Sequence, residues 1–137
     1  MEKNNRIIGR IEECERLDRC MRSDSSQLVV VYGRRRVGKT FLINEYFNYK
    51  FAFKLTGVYG EKRKIQLRNF ALELNRRTGV KQEDPKDWTE AFSYLRSYME
   101  SLDSSVKQVV FLDELPWLDS KRSGFLSAFE YFWNDYA

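Results

Sequence analysis

Apolar and polar positions along the chain divide it into alternating helical and extended segments. Ile11, Cys14, Leu17 and Met21 recur at helical spacing with charges between them, predicting a first amphipathic helix that Ser23-Asp24-Ser25-Ser26 breaks. Leu28 to Tyr32 is a continuous apolar run, the pattern of a strand covered on both faces. Phe41-Leu42-Ile43-Asn44-Glu45-Tyr46-Phe47 predicts a second amphipathic helix, and Phe51 to Gly57, with its aromatic alternation and terminal glycine, a second strand. From Glu61 to Arg77, Leu67, Phe70, Ala71 and Leu74 form a helical stripe, opposite Lys62, Arg63, Lys64, Arg68, Arg76 and Arg77. Thr78-Gly79 ends that helix and Lys81 to Pro85 reads as a surface loop. Trp88, Ala91, Phe92, Leu95, Tyr98, Met99 and Leu102 then mark the clearest amphipathic helix, its aromatic stripe read as core. Val109 to Leu112 is a third strand-like apolar run, and neither an internal repeat nor a low-complexity segment is visible.

Composition narrows the picture. The 137 residues have the size of one domain, and 42% hydrophobic with 15% aromatic residues is too apolar for a disordered chain. No apolar run approaches the ~20 residues of a membrane span, and no apolar segment of the secretory type follows Met1 to Arg6, so a cytoplasmic location is expected. Without histidine the chain offers no obvious zinc set and no Ser-His-Asp triad; Cys14 and Cys20, six apart on one predicted helix, suit neither a disulfide nor a metal and read as reduced thiols. The net charge of +4 is unevenly spread: residues 41–82 hold nine Lys/Arg against three Asp/Glu, residues 83–137 five against eleven. A basic middle can bind nucleic acid, or be the solvated face of a helix.

Two motifs carry chemistry. Gly33-Arg34-Arg35-Arg36-Val37-Gly38-Lys39-Thr40 satisfies G-x-x-x-x-G-K-[ST], between a predicted strand and a predicted helix. Glycines allow successive backbone N–H groups to converge on one anion, Lys39 supplies a flexible charge for the β- and γ-phosphates, and the Thr40 hydroxyl is suited to Mg²⁺. The bland alternative is a glycine-containing turn with solvated basic residues. The second motif is Val109-Val110-Phe111-Leu112-Asp113-Glu114, a strand presenting two acids at its C-terminal end, where ligands sit in open α/β sheets. Asp113 is suited to hold Mg²⁺ through its water shell and Glu114 to orient or deprotonate a water. Taken alone, an acid that merely caps the next turn explains this run equally well.

With these residues in view, the sequence resembles a P-loop NTPase of the additional-strand, catalytic-glutamate kind, and more narrowly the archaeal-type ATPases of the STAND group, relatives of the AAA+ proteins. Ile8-Gly9-Arg10 with Glu12-Glu13, the arginine-rich loop Gly33 to Thr40, Leu112-Asp113-Glu114-Leu115-Pro116-Trp117 and the aromatic segment Phe125 to Asn134 carry the resemblance. It implies a three-layer α/β/α fold with a parallel sheet, incomplete here with about three strands, and makes residues 1–137 a partial ATPase domain. It also implies that Gly9 and Arg10 lie against adenine, and that the backbone of Gly33, Arg34, Arg35, Arg36, Val37, Gly38, Lys39, Thr40 and Phe41 holds phosphates. Thr40 and Asp113 would then bind Mg²⁺, Glu114 would be the catalytic base, and Lys39, holding phosphate, the other catalytic residue. The Arg34, Arg35 and Arg36 side chains read either as solubilising or packing groups, or as contacts to a neighbouring subunit or nucleic acid.

The family continues with further strands, a polar sensor residue, a helical lid and usually a winged-helix domain, so the chain is expected to be part of a longer protein. Its unpaired strand edges invite direct pairing of the first and third strands, or association with a second copy. The leading functional expectation is an ATP- and Mg²⁺-binding module that hydrolyses slowly and acts as a nucleotide-controlled switch. The alternative is a nucleic-acid-binding module, DNA included, that uses the basic helix 62–77 with nucleotide only regulatory. A GTPase is disfavoured, because Asp113 begins Asp-Glu-Leu-Pro and no N-K-x-D occurs; nothing marks the acceptor pocket of a small-molecule kinase.

Overall fold

A computed structural model describes residues 11–25, 27, 38–119 and 123–136. The predicted strand Leu28 to Tyr32 lies outside them. The chain divides into two compact units, Met1–Phe51 and Ala52–Ala137.

In the first unit, α1 (Ile11–Arg22) buries Cys14 and Leu17 and leaves Ile11 exposed; neither Cys14 nor Cys20 is in a disulfide. Glu12 and Glu13 in its first turn and Arg19 and Arg22 in its last complement the helix dipole. The second helix, α2 (Lys39–Tyr46), departs from the amphipathic expectation: Leu42 through Phe47 are all buried and only Phe41 is well exposed. Asn44 and Glu45 are therefore buried polar groups, Glu45 accepting a 3.3 Å hydrogen bond from the Tyr49 hydroxyl. The Tyr46 hydroxyl donates to the Asp18 carboxylate, joining α2 to α1. Asn48 and Tyr49, both at positive φ, turn the chain out of α2, and the Tyr49 N–H bonds the Asn44 carbonyl at 2.8 Å.

The second unit runs β1 (Phe53–Thr56), α3 (Arg63–Thr78), α4 (Trp88–Glu100), β2 (Val110–Asp113), α5 (Leu115–Leu118) and α6 (Phe125–Asp135). The strands pair in parallel, Phe53 opposite Val110 and Thr56 opposite Asp113, and bonds from Ala52 N–H to Val109 O and from Gly57 N–H to Asp113 O, both 2.9 Å, extend the pairing. Strand alternation puts Phe53 and Leu55 into the core and Lys54 and Thr56 on the other face. On that face the Lys54 ammonium stands 5.4 Å from the Phe111 ring centre.

Helix α3 buries Leu67, Phe70, Ala71 and Leu74, the expected stripe, and also Gln66. It stops at Gly79, whose φ of 74° allows its N–H to reach the Asn75 carbonyl at 2.8 Å. Helix α4 starts where the Asp87 carboxylate accepts the Glu90 N–H at 2.8 Å, with Glu90 reaching back to the Lys86 N–H at 3.3 Å, close to a capping box. Its buried face, Trp88, Ala91, Phe92 and Leu95, meets Phe70 of α3 and Phe125, Phe129 and Phe132 of α6 in an aromatic core. The Tyr98 hydroxyl ties α4 to the start of β1 through the Ala52 carbonyl at 2.9 Å. Arg96 bridges to Asp135 of α6 at 2.6 Å and lies over the Tyr136 ring.

Candidate nucleotide site

The phosphate-loop residues Gly33, Arg34, Arg35, Arg36 and Val37, and Gly9 and Arg10 of the adenine expectation, lie outside the described residues. The end of the loop, from Gly38 onward, lies within them. Gly38 occupies the N-cap of α2 at φ 78°, a conformation natural to glycine, and no side chain caps the helix there. Its carbonyl accepts the Leu42 N–H at 2.8 Å, so the amides of Lys39, Thr40 and Phe41 form the first turn, where the helix provides no acceptor for them. A helix start of this kind suits an anion, because its first-turn N–H groups lie at the positive end of a dipole, and Lys39 and Thr40 belong to that turn. Lys39 and Thr40 are half-buried and Phe41 is 46% exposed.

The acids sit in the second unit, at the C-terminal end of β2. Asp113 is 7% exposed, the last residue of the strand, and its Oδ1 accepts the Glu114 N–H at 2.9 Å, which fixes the carboxylate's direction. Glu114 is half-buried and leaves the strand at φ 55°, ψ 44°, a left-handed conformation uncommon outside glycine and asparagine. Strain of this kind persists where surrounding structure holds it. Here the holding groups are identifiable. The Glu114 carbonyl accepts the Trp117 N–H at 3.0 Å, opening the one-turn helix α5 with Pro116 in it, and Gly57 packs directly against that carbonyl. Turn capping at this strand end is therefore real, but the Asp113 carboxylate and the Glu114 carbonyl supply it, while the Glu114 side chain makes no cap bond. Among the described residues no cluster of three or more His, Cys, Asp or Glu forms a metal cage.

Gly57 and Gln66 belong to no motif, yet both touch this turn. A Cβ on Gly57 would lie 2.5 Å from the Glu114 carbonyl oxygen. Gln66, 1% exposed, donates to the carbonyls of Val58 at 2.8 Å and Trp117 at 3.2 Å, and accepts the Val58 N–H at 3.1 Å. Its sequence signal is a polar residue inside the apolar stripe of α3, four positions before Phe70.

The basic helix is less uniform than its sequence. Lys62, Arg63, Lys64 and Arg68 are exposed, but Arg76 and Arg77 both bind the Glu73 carboxylate. Those three line a shallow groove with Lys54, Thr56 and Asn69. Among the described residues no helix is long and apolar enough to cross a membrane.

The AAA domain family matches residues 22–137. An uncharacterized ATP-binding protein of Methanocaldococcus jannaschii is 44% identical over 44 residues, 32% of this chain and 75% of that protein. No solved structure matches. The parallel β1–β2 pair with its helices is part of an α/β P-loop NTPase fold, incomplete in the described residues, and the chain belongs to the AAA domain family of P-loop ATPase-type proteins.

Proposed function

We propose that residues 1–137 are part of the ATPase domain of a larger cytoplasmic protein of the archaeal-type, STAND-related branch, binding ATP with Mg²⁺ and serving as a nucleotide-controlled switch. The observation that carries this is the β2 terminus, where a buried, directed Asp113 stands beside a Glu114 turned out of the strand. The phosphate-loop sequence Gly33 to Thr40 and the ATP-binding relative support it.

Each residue has a role in this reading. The backbone from Gly33 to Phe41 and the Lys39 ammonium hold phosphate charge; Gly9 and Arg10 flank the base. Thr40 and Asp113 would hold Mg²⁺, which would supply the charge neutralisation that cleavage of a phosphoanhydride requires. Glu114 orients water and takes up its proton on a carboxylate oxygen.

The test is a titration of the chain with labelled ATP and Mg²⁺ together with phosphate release. Lys39→Ala removes a charge-assisted contact worth about 1.5–3 kcal/mol, a loss of roughly 10- to 100-fold in affinity. Glu114→Gln keeps binding and lowers turnover by about 10²–10⁴-fold. Wild-type affinity in Lys39→Ala refutes the phosphate-loop assignment.

A second reading is favoured by exposed Lys62, Arg63, Lys64 and Arg68: DNA binding along α3, with nucleotide regulatory. The Glu73 pairing takes Arg76 and Arg77 out of the free-cation supply, which weakens it. Binding that falls steeply with salt supports this reading, and no binding at low salt removes it.

A further inference from the structure

The turn that carries Glu114 is held from both ends by residues far away in sequence. At its start, Gly57 gives its N–H to the Asp113 carbonyl at 2.9 Å and leaves no side chain between itself and the Glu114 carbonyl. At its end, the Trp117 carbonyl of α5 accepts a hydrogen bond from Gln66 of α3 at 3.2 Å. The same buried amide binds the loop after β1 at three points, the Val58 N–H, the Val58 carbonyl and the Glu61 carbonyl. The Tyr59 ring of that loop stands edge-on to Trp117, centres 4.4 Å apart. One side chain therefore clasps the 58–61 loop and the α5 turn into a single piece.

We infer that Gln66 is a positioning residue for Glu114: its amide holds the α5 turn in register with the 58–61 loop and so keeps the glutamate in its left-handed conformation. The inference rests on the reading of Glu114 as the base. Four residues alone do not make a stable helix, and a left-handed glutamate relaxes unless its surroundings over-determine it. An amide is suited to the task because it donates and accepts at once: its oxygen takes the Val58 N–H, and its two N–H serve the Val58 and Trp117 carbonyls, with the Glu61 carbonyl sharing them at 3.4 Å. The loop residues Val58 and Tyr59 are 40% and 69% exposed, so whatever displaces that loop also draws on the Gln66 amide and, through Trp117, on Glu114.

The experiment uses the full chain with two substitutions that keep the side chain's size: Gln66→Met, which removes every hydrogen bond, and Gln66→Glu, whose carboxylate still accepts from Val58 but donates to none of the three carbonyls. Amide hydrogen exchange is read at residues 114–118 and in α4, together with ATP affinity and single-turnover hydrolysis. The expected result is exchange at least tenfold faster at 114–118 with α4 unchanged, and hydrolysis at least tenfold slower at unaltered affinity in both variants. Combined with Glu114→Gln, neither substitution slows turnover further. Unchanged exchange at 114–118, or faster exchange with wild-type turnover, overturns the inference. A general loss of protection in α4 and the turn together also overturns it, because Gln66 is then only a core residue. Wild-type turnover in Glu114→Gln refutes the base assignment instead, and the exchange data then still decide whether Gln66 holds the turn.

Discussion

Replacing Gly57 by alanine tests the geometry at the end of β2 most directly. The new Cβ stands 2.5 Å from the Glu114 carbonyl oxygen and 3.1 Å from both Leu118 Cγ and Trp117 Cβ. A carbon rests at about 3.3 Å or more from a carbonyl oxygen, so the two backbones part by roughly 0.8 Å. The obstructing atom is backbone, so no side-chain rotation relieves the clash. Separation also stretches the 2.9 Å bond from Gly57 N–H to Asp113 O that ends the strand pairing. Overpacking of this kind costs about 1–3 kcal/mol, or roughly 3–15 °C in melting temperature for a domain of this size. A shift approaching 1 Å at Glu114 slows hydrolysis by up to ~10²-fold. Urea unfolding and phosphate release measured on the same samples give both numbers. A Gly57→Ala protein within about 0.5 kcal/mol of wild type, with wild-type turnover, refutes the close approach.

Other predictions concern the scaffold. Phe92 is 4% exposed with five aromatic rings centred 5.3–6.2 Å away, so Phe92→Ala lowers stability by about 3–5 kcal/mol, read as a fall in the urea midpoint. Asp87→Ala removes the α4 cap at about 1 kcal/mol, and Asp87→Ser restores most of it in the same assay. Burial and then the Asp18 carboxylate push the Tyr46 phenol well above its ordinary value of 10.0. Its folded-state pKa is raised, so its contribution is complete below pH 10 and is lost as pH rises through the folded value. The difference in urea midpoint between wild type and Tyr46→Phe therefore narrows from pH 8 to pH 11 (about three decades of proton activity); a constant difference refutes the Asp18 pairing.

Much of the frame was legible in the sequence because it obeys local rules. The stripes of α3 and α4 repeat for two turns or more, so periodicity alone finds them, and Gly79 and the Asp87-Trp88-Thr89-Glu90 cap give their ends a stereochemical reason. The strand before Asp113 announces itself by apolar character and the acids after it. By contrast, α2 misled: a helix buried nearly all round has no polar face, and burial of Asn44 and Glu45 depends on what surrounds it. Helix α5 was not legible either, since four residues containing a proline have too little length for a period.

The sequence by itself determined the residues on offer: a glycine-lysine-threonine motif of a type suited to phosphate, an Asp-Glu pair after an apolar run, and the apolar periodicity around them. Only the tertiary structure decided how the second pair is presented. The left-handed turn at Glu114, the missing side chain of Gly57 that accommodates it and the Gln66 amide that clasps it come from segments up to 57 positions apart. Local pattern governs which backbone hydrogen bonds a segment makes with itself. The conformation of a strained turn is set by the groups packed around it, and those are brought together only when the chain folds.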